Sequence, residues 1–183
     1  ASFDISKFDI QVTDADKTKV DGVSINIKKE IKKNNYNIKV LGVDLDSVYN
    51  ITIKYEGYLD YRNEYIPVSD EVYQEIVLEK DTFTTYAFSS DTPNSWRLNE
   101  STPYISTNIS SDALAGFSQT FYSNDKSIAD VDNSGRVSIN KAGNVTFTAR
   151  LYKEQPDGGT VYKEISKNIE MKKISHSLVP VEG

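Results

Sequence analysis

Four tyrosines, Tyr55, Tyr58, Tyr61 and Tyr65, fall within eleven positions, in the run Tyr-Glu-Gly-Tyr-Leu-Asp-Tyr-Arg-Asn-Glu-Tyr. A phenol offers a broad apolar face and a hydroxyl that both donates and accepts, so tyrosines beside acids can recognise sugars and peptides. Tyr58, Tyr61 and Tyr65 are therefore candidate ligand-binding residues. The same residues can equally close the end of a sandwich, with rings inward and hydroxyls outward. Trp96, the only tryptophan, stands between Ser95 and Arg97 in a polar stretch. It is the fourth candidate, as a contact residue or as a core anchor. Both pictures can be tested by exposure: a recognition face needs open rings, a structural role needs covered ones.

Other chemistry finds little material. There is no cysteine, which excludes disulfides, thiolate metal sites and thiol nucleophiles. One histidine, His176, leaves multi-histidine metal sites and Ser-His-Asp catalysis without their parts. Acid pairs at Asp14/Asp16, Asp44/Asp46 and Asp130/Asp132 read as turn formers, because no stretch carries the glycine and closing glutamate of an EF-hand loop. No metal and no cofactor are expected. With 27 acidic residues, carboxylate pairs suited to glycoside hydrolysis occur by chance and carry no signal. A net charge of -6, from 21 basic and 27 acidic residues, argues against binding nucleic acid through bulk charge. No run reaches the roughly 20 apolar residues of a membrane helix, so no membrane insertion is expected.

The elements that must position these side chains read as strands. The 183 residues include 15 Val, 17 Ile, 13 Thr and 20 aromatics against 8 Leu, 8 Ala and 1 Met, a balance that favours pleated structure. Val23, Ile25 and Ile27 alternate with polar residues; so do Ile38 and Val40, and Ile51, Ile53 and Tyr55. Residues 72–78 read as a further strand and 27–33 as a charged hairpin end. After the charged Glu79-Lys80-Asp81 the pattern resets, with 83–88 opening a second unit. Residues 89–107 read as a long loop or short edge strands. Strand signals return at 117–122, 137–139, 145–151, 161–165 and 169–171, separated by Gly- and Asn-rich turns. The expectation is an all-β protein of two tandem Ig-like β-sandwich domains: 1–80, 81–175, and a tail or linker at 176–183.

One segment is specific enough to carry a resemblance. It runs Phe121-Tyr122-Ser123-Asn124-Asp125, then Ile128-Ala129-Asp130-Val131, the turn Asn133-Ser134-Gly135, the strand Val137-Ser138-Ile139, and Lys141-Ala142-Gly143 before the alternating Val145, Phe147 and Ala149. In order and spacing it resembles the bacterial immunoglobulin-like domain group 2, the repeats of intimin- and invasin-type surface proteins. Phe121 stands where that family usually has Trp. More weakly, Val20-Asp21-Gly22-Val23-Ser24-Ile25 and the run from Tyr49 to Tyr58 resemble a carboxypeptidase-regulatory-like or transthyretin-like sandwich. The first resemblance implies a non-catalytic, extracellular or cell-surface module, a spacer or adhesive domain pair of a bacterial surface protein. Its partners would be adjacent Ig-like domains of the same chain. The alternatives are a carbohydrate- or host-protein-binding module and a phage virion tail or decoration domain.

Overall fold

A computed structural model describes residues 3–29, 36–67 and 76–183. Among the described residues the protein is all-β, with two short 3-10 turns at Ile5–Lys7 and Ser111–Leu114. It divides into two compact units: Ala1–Thr82 with Tyr152–Lys163, and Phe83–Leu151 with Glu164–Gly183. The second unit opens at Phe83, inside the reset read from the sequence. The stretch 152–163, expected in a continuous 81–175 domain, groups instead with the first unit.

In the first unit, β1 (Asp9–Asp14), β4 (Tyr49–Lys54) and β5 (Asp60–Tyr65) form consecutive antiparallel pairs. β11 (Thr160–Lys172) adds its first residues to β5, with Val161 opposite Tyr61. β2 (Ser24–Lys29) and β3 (Tyr36–Leu41) form a separate antiparallel pair that sets Ile25 against Val40 and Ile27 against Ile38. Alternation explains the inward face of β1, β4 and β11: Val12, Ile51, Ile53 and Val161 are buried, while Lys54 points out. Gly57 turns the chain from β4 to β5 at φ 84°, a left-handed geometry open to glycine.

β5, like β1, was missed by the sequence alternation. Its residues are Asp-Tyr-Arg-Asn-Glu-Tyr, and no aliphatic residue marks a face. The buried positions are Tyr61 and Asn63, so an aromatic and an amide do the work expected of Ile or Val. Conversely, 83–88 holds no strand, only a turn at Phe83–Tyr86 and an isolated bridge from Phe88 to Thr107. Of the expected 72–78 strand, 72–75 lies outside the described residues, and 76–78 forms no strand. The 27–33 segment is strand through Lys29; 30–35 lies outside the described residues.

In the second unit, β7 (Ser118–Ser123) pairs with β10 (Gly143–Glu154), and β10 with β11. β8 (Ala129–Val131) and β9 (Val137–Ile139) form a short antiparallel pair. β6 (Ser95–Arg97) joins β11 in parallel, with Trp96 opposite Met171. Val145, Phe147, Ala149 and Leu151 are all buried along one face of β10, and Phe121, Ala129, Val131, Val137, Ile169 and Met171 complete the core. The runs read as separate strands at 161–165 and 169–171 are one continuous strand. Gly135 (φ 93°) occupies a turn where its amide donates to the Asp132 carbonyl at 3.1 Å and its carbonyl accepts from the Ile105 amide at 2.8 Å.

Candidate functional site

The tyrosine-rich segment leaves β4, turns at Gly57 and becomes β5. Strand geometry therefore distributes its tyrosines instead of gathering them. Tyr55 and Tyr58 flank the turn and join Phe3, Phe8 and Tyr36 in an aromatic cluster. Phe3 stands 4.9 Å from Tyr55 and 5.1 Å from Tyr58, centroid to centroid, both in edge-on geometry. Hydroxyls tie the cluster to backbone: the Asp4 amide donates to Tyr55 at 2.8 Å, and Tyr36 donates to the Phe3 carbonyl at 2.8 Å.

Beside this cluster lies a shallow open cleft of about 310 Å³, lined by Lys7, Asp9, Lys54, Tyr55, Glu56, Gly57, Tyr58 and Asp60. Three carboxylates face two ammonium groups. Lys54 Nζ lies 3.8 Å from Asp60, a loose and half-exposed pair of little energetic weight. Such a surface can present a phenol face and several hydrogen-bond acceptors to a polyol or a peptide.

Tyr61 is not part of that surface. It is 0% exposed, enclosed between Ile53 and Val161 on the neighbouring strands. Its hydroxyl donates to Asp157 at 3.1 Å and accepts from Asn63 Nδ2 at 3.1 Å. Burial, with the nearby Asp157 carboxylate, pushes the phenol up to about 12, while the bond from Asn63 pulls the other way. Gly159 lies against this ring so closely that a β-carbon there would collide with it. Enclosed in this way, the Tyr61 ring presents no open face. Tyr65 is half-buried, 6.0 Å from Tyr49. Its hydroxyl is enclosed without a hydrogen-bond partner among the described residues, and burial raises its pKa.

Trp96 is enclosed as well. It is 9% exposed, packed edge-on against Phe147 at 6.5 Å in the core of the second unit. Of the four candidates, Tyr58 lines the cleft, beside Tyr55; Tyr61 and Tyr65 are not among its lining residues, and Trp96 belongs to the second unit.

Two open aromatics escaped the sequence reading. Tyr104 is 57% and Tyr122 47% exposed. Tyr122 lies under the Arg150 guanidinium at 5.5 Å, and Arg150 Nε donates to Glu164 at 2.8 Å. Alternation along β7 carried the signal for Tyr122: buried Phe121 forces its neighbour outward.

The acid pairs act as turn formers where their contacts are seen. Asp14 Oδ1 accepts from the amides of Asp16 and Thr18, both at 2.9 Å. Asp132 Oδ1 accepts from Ser134 Oγ at 2.6 Å and from the amides of Ser134 and Arg136. These bonds, the Ser134 hydroxyl first, hold the Asp132 carboxyl below its usual range. Asp4 and Asp125 repeat the arrangement with Ser6 and Ser127.

Comparison with known families bears on one part of the chain. Residues 112–150 match the family described as the intimin immunoglobulin-like domain. The match spans β7, β8, β9 and the first part of β10, the strands that bury Phe121, Val131, Val137, Val145 and Phe147. No curated protein matches the chain. The finding supports a bacterial Ig-like assignment for this C-terminal part, and it points to a surface- or adhesin-type module of a non-enzymatic kind.

Proposed function

We propose that this chain is a non-catalytic module of a bacterial surface protein, acting as a spacer that holds other parts of that protein away from the cell. The intimin-type match over 112–150 carries the reading. The burial of Tyr61 and Trp96 supports it, because two of the four candidate contact residues are spent on the cores of the two units. The first unit, as a second β-sandwich in tandem, belongs to the same proposal.

A second reading has one observation in its favour: the cleft beside Tyr55 and Tyr58, with its carboxylates, suits a carbohydrate or a host surface protein. A glycan-array and host-matrix screen of the intact chain, run with calcium and with EDTA, separates the two. The spacer reading expects no specific binding under either condition. Specific binding that is lost in Tyr58→Ala, while Tyr104→Ala keeps it, would replace that reading with recognition at the cleft.

A further inference from the structure

We infer that the short parallel ladder between β6 and β11 is a mechanical latch, built to resist tension between the segment that precedes β6 and the segment that follows β11. Its biological use rests on the spacer reading; the latch itself rests on strand direction.

β6 and β11 run the same way, with Ser95 opposite Glu170 and Arg97 opposite Lys172. Force that draws β6 back toward its N-terminal end and β11 forward toward its C-terminal end slides the two strands past each other. Every bond across the seam is then loaded together. The bonds extend beyond the paired residues at both ends. The Glu170 amide donates to the Asn94 carbonyl at 3.0 Å, and the Leu98 amide to the Lys172 carbonyl at 3.0 Å. Outside these, Lys167 Nζ donates to the Thr92 carbonyl at 3.2 Å and Arg97 Nη1 to the Lys173 carbonyl at 3.5 Å.

Side chains fix the register. Trp96 and Met171 face each other into the core, 9% and 1% exposed, and Trp96 lies against Phe147. A slip of one residue reverses which side chains face the core, so sliding must drag the indole out of its site. A three-residue parallel pair contributes little to equilibrium stability compared with the long antiparallel ladders beside it. Forced unfolding depends instead on the rate of escape, and a seam that must break all at once slows escape. This gives Trp96, in an otherwise polar stretch, a role beyond filling space.

The absence of native cysteine allows unique handles in the full chain. Asp91→Cys with Ser175→Cys loads the ladder in shear; Asp91→Cys with Asn168→Cys pulls from one end and opens the bonds one by one. All three positions are exposed. In single-molecule pulling at one loading rate, the shear pair should hold to a several-fold higher force than the peeling pair. Equal forces in the two geometries overturn the latch without any change to the core. Trp96→Ala in the shear pair should bring the force down toward the peeling value. Val137→Ala, buried in the same unit away from the ladder, should lower equilibrium stability while largely keeping the shear force; an equal loss of force in both variants also overturns the inference. Binding in the glycan screen would reverse the spacer reading and leave these forces as they are, so the two failures are distinguishable.

Discussion

Replacing Tyr61 decides whether the tyrosine segment is a structural strand or a recognition surface. The ring is 0% exposed, so truncation to alanine removes a complete aromatic burial. An aromatic side chain covers roughly 150 Å² or more, which at about 25 cal/mol per Å² gives close to 4 kcal/mol. Large-to-small aromatic substitutions in cores fall in the same range, about 3–5 kcal/mol. Tyr61→Phe keeps the ring and removes the hydroxyl. The Asp157 and Asn63 contacts go with it, and Asn63 is itself buried, so a cost of about 1–3 kcal/mol is expected. Urea unfolding followed by far-ultraviolet circular dichroism measures both. Trp96 is the only tryptophan and lies in the second unit, so its fluorescence separates that unit's transition from one in the first. The reasoning fails if Tyr61→Ala unfolds within about 1 kcal/mol of the parent, well inside the core range. It fails equally if Tyr61→Phe costs as much as Tyr61→Ala. A recognition role would show the opposite pattern, with stability kept and a ligand lost.

Residues 1–82 made alone should show no cooperative unfolding, because β5 loses Val161 and Tyr162, both buried in the first unit; a midpoint equal to that of the first unit in the whole chain would refute this. Gly135→Ala should destabilise the second unit by about 1–3 kcal/mol, seen by Trp96 fluorescence, since the residue sits at φ 93° and a β-carbon there runs into the Ile105 carbonyl. Alkaline titration should show Tyr61 ionising near 12 in place of 10, with Tyr65 and Tyr86 also raised by burial and Tyr61→Phe identifying its step. Its folded pKa is raised, so the unfolded chain releases the proton first. The Tyr61 contribution is therefore fully present below pH 10 and is lost as pH rises toward 12, a loss absent in Tyr61→Phe.

The strands that could be read from sequence are those whose buried face is aliphatic. β4 and β10 alternate Ile, Val, Phe and Ala with polar residues; the runs read at 51–55 and 145–151 overlap Tyr49–Lys54 and Gly143–Glu154, with β10 extending further at both ends. β5 was hidden because Tyr61 and Asn63 replace the aliphatic residues, and the Asn63 amide is accommodated inside by a bond to the phenol. The same concealment made Tyr61 look like a recognition residue. Trp96 was ambiguous for another reason. Its strand is three residues long within a polar stretch, and its burial depends on Met171 and Phe147, which no local pattern announces. Tyr58 kept its candidacy because a turn, not a strand, sets its position.

The assignment of 152–163 to the first unit had no signature at all. The alternation of β10 runs through Leu151 into Tyr152 without a break, and the groups that secure the hairpin lie far back in the chain. Lys153 Nζ meets Glu79 at 2.9 Å, Gln155 Nε2 reaches the same carboxylate at 3.1 Å, and Lys163 Nζ meets Asp81 at 2.7 Å. The charged run that marked a boundary in the sequence thus supplies, through Glu79 and Asp81, the partners of that hairpin.

That interleaving has a consequence for how such a protein can be copied and recombined. A domain encoded by one uninterrupted stretch can be duplicated, exchanged or deleted as a block, and each copy arrives with everything it needs. Here, a block ending at residue 82 leaves its last two strand segments behind, and a block beginning at residue 83 carries a hairpin whose companions are elsewhere. Productive gene rearrangements must therefore move the pair together. Lengthening by repetition would proceed in steps of the whole pair, never of half of it.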